Sequence, residues 1–308
     1  VGPVDIVVEN DRITEVRTVG YPGLPIDETK RPKLKKGGKE LDATGLYLMP
    51  GFVDTHAHIG GPRQGADAEY VFKLWMAHGG TTIADPGCGN GLDWVLTDKR
   101  KSEANEITAP RIKAYTRFGQ GSETPIATAE QAREWVRLNA KKGADGIKFG
   151  GASPEVMIAA LDENKKLGLR SMMHHAQTYV GGWNALQSAR AGLNSLEHWY
   201  GLPEALFNDR TVQNYSLDYN YQNEQDRFGE AGSLWAQAAA PFSEKWNNVM
   251  DELISLDFTI SPTMVIYEAN RDLMRARQAD WHEEYTLPSL WEYYAPSRES
   301  HGSYWHSW

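Results

Sequence analysis

His56 and His58 end the run Leu48-Met49-Pro50-Gly51-Phe52-Val53-Asp54-Thr55-His56-Ala57-His58. Residues two apart on an extended strand share a face, so both imidazoles can reach one metal ion. Imidazole favours zinc and similar first-row ions over magnesium or calcium. Three further ligand-type side chains each follow a short β-like stretch: Lys148 in Gly146-Ile147-Lys148-Phe149, His175 in Met172-Met173-His174-His175-Ala176, and His198 in Ser195-Leu196-Glu197-His198. The intervals from Lys148 to His175 and from His175 to His198 each suit one βα unit. A single histidine at a strand end is ordinarily a packing or rim residue. Several such ends in succession point instead to one shared site, because parallel α/β proteins collect their chemistry at the C-terminal ends of their strands.

The elements that would position these residues alternate from Leu46 onward. Strands are predicted at 48–56, 81–85, 111–118, 146–149, 169–175, 195–198 and 258–266, and the apolar run before His56 reads as a strand buried on both faces. Between them, Thr128 and Gln131 form a capping box and Gly143 ends that helix; Ser153-Pro154-Glu155 starts the next and Gly168 stops it. Ahead of this alternation, Val4, Ile6, Val8 and Ile13 with Asn10-Asp11 between two runs predict a β-hairpin, followed by a Pro/Gly/Lys-rich connection. Residues 1–46 are thus expected to be part of a small β-domain, and 47–308 a β/α barrel holding strands 1–7. Residues 201–240, polar and aromatic without a clear period, read as an insertion in that barrel. A helix from Ser243 follows, then a second over 272–284 and an aromatic tail with Trp291, Tyr294, Tyr304, Trp305 and Trp308.

Composition narrows the partners. The chain has 308 residues and a formal net charge of -9, which argues against a nucleic-acid-binding surface. The basic cluster Lys30, Arg31, Lys33, Lys35, Lys36 and Lys39 is interspersed with proline and glycine and reads as a solvated loop. Cys88 is the one cysteine, so no internal disulfide can form. No run approaches the roughly 18 apolar residues of a membrane span. Gly87-Cys88-Gly89-Asn90-Gly91 lacks the spacing and the following Lys-Ser/Thr of a phosphate loop and reads as a βα connection. The chain begins at Val1 rather than Met, so localisation stays open, with the cytoplasm the mild default. A homo-oligomer also stays open.

At this point the chain resembles the amidohydrolase superfamily, in the flavour of its prolidase-like and imidazolonepropionase-like members. The Pro-Gly-Phe-Val-Asp-Thr-His-Ala-His stretch matches closely, and Asp42-Ala43-Thr44-Gly45, Gly79-Gly80-Thr81-Thr82 and Glu197-His198 extend the match from about Val4 to the seventh strand. The resemblance implies a (β/α)8 TIM-type barrel with two divalent metal ions, zinc above others, at its mouth. His56 and His58 would hold the more buried ion, and His175 and His198 the other. Lys148 would bridge them as a carbamate formed with carbon dioxide, since an ammonium beside two dications is repelled whereas a carbamate offers two anionic oxygens. Taking His175 rather than His174 follows the family's His-Ala pairing and leaves His174 a packing residue.

What this implies chemically is hydrolysis of a C–N bond in a small amide, dipeptide-like or cyclic-amide substrate by a metal-activated hydroxide. Asp54, on the same strand face as His56, is a candidate to steady that histidine, with a structural carboxylate the alternative. Arg117, Tyr200 and Tyr267 are candidates to reach substrate from strand ends or adjoining loops. The family's remaining ligand, an aspartate after an eighth strand, has no counterpart, and neither Asp272 nor Asp280 is assigned its role. The expected fold is therefore an α/β barrel truncated before strand 8, with part of a small N-terminal β-domain. A deaminase of the same superfamily and a barrel that binds metal or ligand without turnover remain open beside the hydrolase.

Overall fold

The computed structural model describes residues 2–61, 65–293 and 295. It divides into two compact units, Val1–Pro50 and Gly51–Trp308. In the first, strands β1 (Val4–Glu9) and β2 (Arg12–Thr18) pair antiparallel as a hairpin. Asn10 takes the turn with φ +57°, a left-handed value that asparagine tolerates better than most residues.

In the second unit, seven strands pair in parallel and in chain order: β3 (Phe52–Asp54), β4 (Gly80–Asp85), β5 (Arg111–Arg117), β6 (Gly146–Phe149), β7 (Arg170–Met173), β8 (Ser195–Glu197) and β9 (Thr259–Ser261). Helices cross between successive strands: α1 (Ala68–Ala77), α2 (Leu92–Glu103), α3 (Ala129–Lys142), α4 (Pro154–Lys166) and α5 (Ala185–Arg190). Thr128 and Gln131 cap α3 reciprocally, and Gly143 closes it at φ +107°. Ser153 precedes α4, but its side chain makes no capping hydrogen bond; Pro154 at the first turn marks that start.

The sheet curls as seven strands of a TIM-type barrel. Its outer face carries the larger core: Ile147 and Phe149 of β6 and Met173 of β7 pack with Trp135, Met157 and Leu161 of the helices. On the inner face, Ala84 of β4, Tyr115 of β5 and Met172 of β7 meet one another. Among the described residues no eighth strand joins β9 to β3, so both are edges.

Three sequence expectations change. The strand expected over 48–56 is only Phe52–Asp54, and its apolar residues are not buried, with Phe52 58% and Val53 61% exposed. The cause is its place at the edge, where it pairs with β4 alone. The last strand, expected over 258–266, stops at Ser261 because Pro262 cannot donate to the ladder. Thr263 then turns at φ +51° into α9 (Met264–Arg271), so Tyr267 sits on a helix. The helix expected over 272–284 is broken into α10 (Leu273–Arg277) and α11 (His282–Tyr285).

The aperiodic segment 201–240 contains α6 (Leu202–Ala205) and α7 (Glu224–Ser233), followed after residue 240 by α8 (Glu244–Ser255). Leu202, Ala205 and Leu206 join the core with Leu196, Val249 and Leu253, so the start of the insertion is structural. A short α12 (Pro288–Tyr293) follows, and the tail aromatics Tyr294, Tyr304, Trp305 and Trp308 lie outside the described residues.

Candidate metal and substrate site

Strand β3 can enter the sheet only with glycine before it, because a Cβ on Gly51 would lie 2.0 Å from Thr81 Oγ1. That close approach explains the Pro-Gly ahead of β3 and the threonine pair at the start of β4 in physical terms. It delivers His56 and His58 to the inner side, ring centroids 5.2 Å apart. The histidines then run on as a chain of rings, His56 to His198 at 4.7 Å and His198 to His174 at 4.7 Å. Lys148, alternating with the outward Ile147 and Phe149, points inward and its Nζ lies 3.0 Å from His56 Nε2.

The adjacent histidines that follow β7 divide in the opposite sense to the sequence expectation. His174 shares the inner face with Met172, whereas His175 follows the outward Met173 and is fully buried, its Nε2 2.8 Å from Ser188 Oγ on α5. His175 therefore stands away from the ring chain and His174 within it. Of the five expected ligands, the structure brings together His56, His58, Lys148 and His198, and adds His174.

Two carboxylates were not singled out as site residues by sequence reasoning. Glu197, one residue before His198, places Oε2 2.5 Å from His56 Nδ1, and its Oε1 accepts from Ser195 Oγ at 2.8 Å. Asp85, at the end of β4, is completely buried, and its Oδ1 lies 4.0 Å from His58 Nδ1. The alternation of Ser195 and Glu197 was a signal for the first; its partner, 141 residues away, was not. Thr263 Oγ1, also unforeseen, is 3.0 Å from His198 Nδ1.

The remaining expected residues surround this group. Asp54 Oδ1 accepts from the His56 backbone N–H at 3.0 Å and Oδ2 from Trp75 Nε1 at 3.1 Å, which fixes the turn out of β3. Arg117 Nε donates to Gly87 O at 2.7 Å. Tyr267 Oη donates to Tyr200 Oη at 3.1 Å, and the Tyr200 ring is 5.2 Å from that of His174.

Burial sets the protonation states. It holds His56 and His198 below the ordinary imidazole value and His174 down to about 3, with the charge of Lys148 adding to each. Burial also pushes Lys148 down to about 8 against the pull of Glu197, and raises Asp85 to about 7. Neutral imidazoles keep a lone pair for a metal. Because Glu197 engages Nδ1 of His56, its Nε2 is the nitrogen turned toward the interior, where Lys148 Nζ meets it at 3.0 Å.

Among the described residues no three His, Cys, Asp or Glu side chains are already disposed to hold one ion. The donor chemistry nonetheless fits a divalent metal: His56, His174 and His198 are kept neutral by burial, the first and last backed through Nδ1 by Glu197 and Thr263, around an amine of lowered basicity. No helix among the described residues is long and apolar enough to cross a membrane.

No family model matches the chain. It is 29% identical over 178 residues to an adenine deaminase of Methanoculleus marisnigri, covering 55% of this chain and 33% of that protein. With an imidazolonepropionase of Porphyromonas gingivalis it shares 26% over 149 residues, 43% of this chain and 32% of that one. The chain thus spans about a third of the length of these curated relatives. A solved Xaa-Pro dipeptidase with bound methionine has the same fold, with a TM-score of 0.51 at 16% identity over 84% of this chain and 74% of that one. These relatives all belong to the amidohydrolase superfamily, and it is to that superfamily that this chain, a parallel β/α sheet with inward histidines, is similar in sequence.

Proposed function

We propose that this chain carries the metal site of a hydrolase that cleaves a C–N bond in a small amide, dipeptide-like or cyclic-amide substrate. The observation that carries the reading is the inward chain of His58, His56, His198 and His174 around Lys148, with Glu197 on the back of His56. His56 and His58 would hold one ion, His174 and His198 a second, and carboxylated Lys148 would lie between. When bound, such ions would polarise a substrate carbonyl and lower the pKa of a bound water from about 15.7 towards 7.

The chain's own residues prepare that site. Glu197 and Thr263 fix which nitrogen of His56 and His198 faces inward. With a value of about 8, Lys148 is a free amine far more often near neutral pH than an exposed lysine, and only the free amine attacks carbon dioxide. That attack forms an N–C bond as one C=O π bond of carbon dioxide opens and leaves its electron pair on oxygen, and the nitrogen gives up its proton to solvent. Tyr200 and Tyr267 wall the approach to His174.

The test is to load the purified chain with zinc, count bound metal by mass spectrometry, and look for a carbamate by 13C NMR after growth in labelled bicarbonate. Hydrolysis is then assayed on dipeptides, N-acyl amino acids and cyclic amides. Two zinc ions, a carbamate signal lost in Lys148→Met, and turnover are expected. Likeness to an adenine deaminase supports a second reading, deamination, which ammonia release from adenine without a carbamate would favour. Stoichiometric zinc with neither activity would favour a binding role.

A further inference from the structure

The segment that leaves β9 runs back across the end of the sheet where the histidines gather. It begins at Pro262 and Thr263, the latter at φ +51°, and passes through α9, α10, α11 and α12. At its near end Thr263 Oγ1 lies 3.0 Å from His198 Nδ1, and Tyr267 Oη donates to Tyr200 Oη at 3.1 Å. At its far end Ser289 Oγ donates to Gly65 O, and Tyr285 O accepts from Tyr70 Oη. Gly65 and Tyr70 follow β3, at the opposite edge of the sheet from β9. Both anchor points lie beyond the C-terminal ends of parallel strands, so the segment bridges the two edges on the side of the inward residues. We propose that residues 264–293 form a lid on the histidine site, hinged at Pro262 and Thr263 and latched on Gly65 and Tyr70, whose release admits metal and substrate. This rests on the reading of the inward histidines as a metal site.

Three features make this segment a lid rather than a fixed wall. First, it is lightly held. None of its described side chains is buried, and Met264, Val265, Trp281 and Tyr285 are exposed. An element that buries so little apolar surface opens at far smaller cost than the core beneath it. Second, its far part is braced within itself. The Arg277 guanidinium lies 3.6 Å from the Trp291 ring centroid and donates to Trp291 O at 3.3 Å, while His282 meets Ala276 O at 2.8 Å and Thr286 Oγ1 at 2.7 Å. Helices α10 to α12 are thus tied to move together. Third, the two ends have the character of a hinge and a catch. Pro262 leaves the ladder, and Thr263 holds a left-handed conformation that is costly for a β-branched residue, at an element end where hinged closure is absorbed. At the catch, a Cβ on Gly65, itself at φ +83°, would lie 2.8 Å from Ser289 O, so the loop and the lid backbone meet closely. Because Thr263 and Tyr267 lie at the hinge and on α9, opening draws both away from His198 and Tyr200.

Carbethoxylation of the metal-free, full chain by diethyl pyrocarbonate, followed residue by residue in mass spectrometry, tests the proposal. His174 and His198 are neutral, the form that reacts, and lie under the lid, whereas His175 is fully buried on the outward side and serves as the internal control. Tyr70→Phe with Ser289→Ala removes both donors of the latch and should speed labelling of His174 and His198 about tenfold, the scale of two modest hydrogen bonds, with His175 unchanged. Tyr70→Cys with Tyr285→Cys, joined by a short bismaleimide, holds the latch shut and should slow the same two sites about tenfold. Cys88 is buried and does not compete for the reagent. Unchanged rates in the first variant, an equal rise at His175, or a cross-link that slows nothing overturns the lid. Should the first variant fail to fold by circular dichroism, the cross-linked chain decides alone. A chain that shows the expected labelling yet takes up no zinc defeats the metal reading and leaves the lid standing.

Discussion

Glu197 Oε2 lies 2.5 Å from His56 Nδ1, a carboxylate and an imidazole joined across the inner side from the sixth strand of the parallel sheet to the first. The pairing fixes the ring's orientation and leaves Nε2 as its inward donor. If His56 is a metal ligand, Glu197→Gln should lower zinc affinity by about 10- to 100-fold, the usual cost of losing such a partner. Competition with a chromophoric chelator measures this. Affinity within about twofold of the parent would remove either His56 or Glu197 from the metal site.

The division between His174 and His175 gives a paired prediction. His174→Asn should lose bound zinc while the fold persists. His175→Asn should keep zinc but lose roughly 1–3 kcal/mol of stability, because it leaves the buried Ser188 hydroxyl short of its partner. Zinc counts and urea unfolding on the two variants decide, and the reverse pattern would reinstate His175 as the ligand.

That division also shows where sequence reading stopped. His56, His58, Lys148 and His198 were legible because each follows a β-like run whose alternation or end is unambiguous. His174 and His175 follow Met172 and Met173, two identical apolar residues that give the strand no chemical inside or outside. The family's His-Ala pairing then chose the outward residue. Glu197 was visible only as part of a matched dipeptide, since nothing local announces a partner 141 residues away. The early end of the last strand could have been read from Pro262, which has no N–H to give to a ladder. The apolar run before His56 was read as doubly buried because its composition records the burial such a strand is suited to, whereas its place at the sheet edge sets the burial it has.

Acid stability should track His175. Burial holds its imidazole down to about 3 in the fold, against about 6.5 for an unperturbed histidine. Between these values the unfolded chain binds the extra proton, so stability is full above about 6.5 and is lost as pH falls toward 3. Asp85, raised to about 7, acts in the opposite sense, since there the folded state holds the proton and stability declines as pH rises from about 4 to 7. Urea midpoints for metal-free protein between these pH values should therefore fall less steeply on acidification in His175→Asn than in the parent. Parallel curves would mean that His175 is not held neutral.

The two edges of the parallel sheet carry the last prediction. β3 pairs only with β4 and β9 only with β8 among the described residues, and Phe52, Val53 and Ile260 on them are 58%, 61% and 39% exposed. An unpaired strand with apolar side chains offers both open backbone hydrogen bonds and a surface that water disfavours, so it recruits another strand. The 308-residue chain should therefore self-associate in the micromolar range, where exposed edges drive assembly. A lysine on an edge strand opposes such pairing through charge and hydration. Val53→Lys with Ile260→Lys should thus shift the chain toward monomer in light scattering coupled to size exclusion, without disturbing zinc content, since neither side chain is among the inward donors. A parent chain that stays monomeric throughout that range would show that these edges are protected in solution.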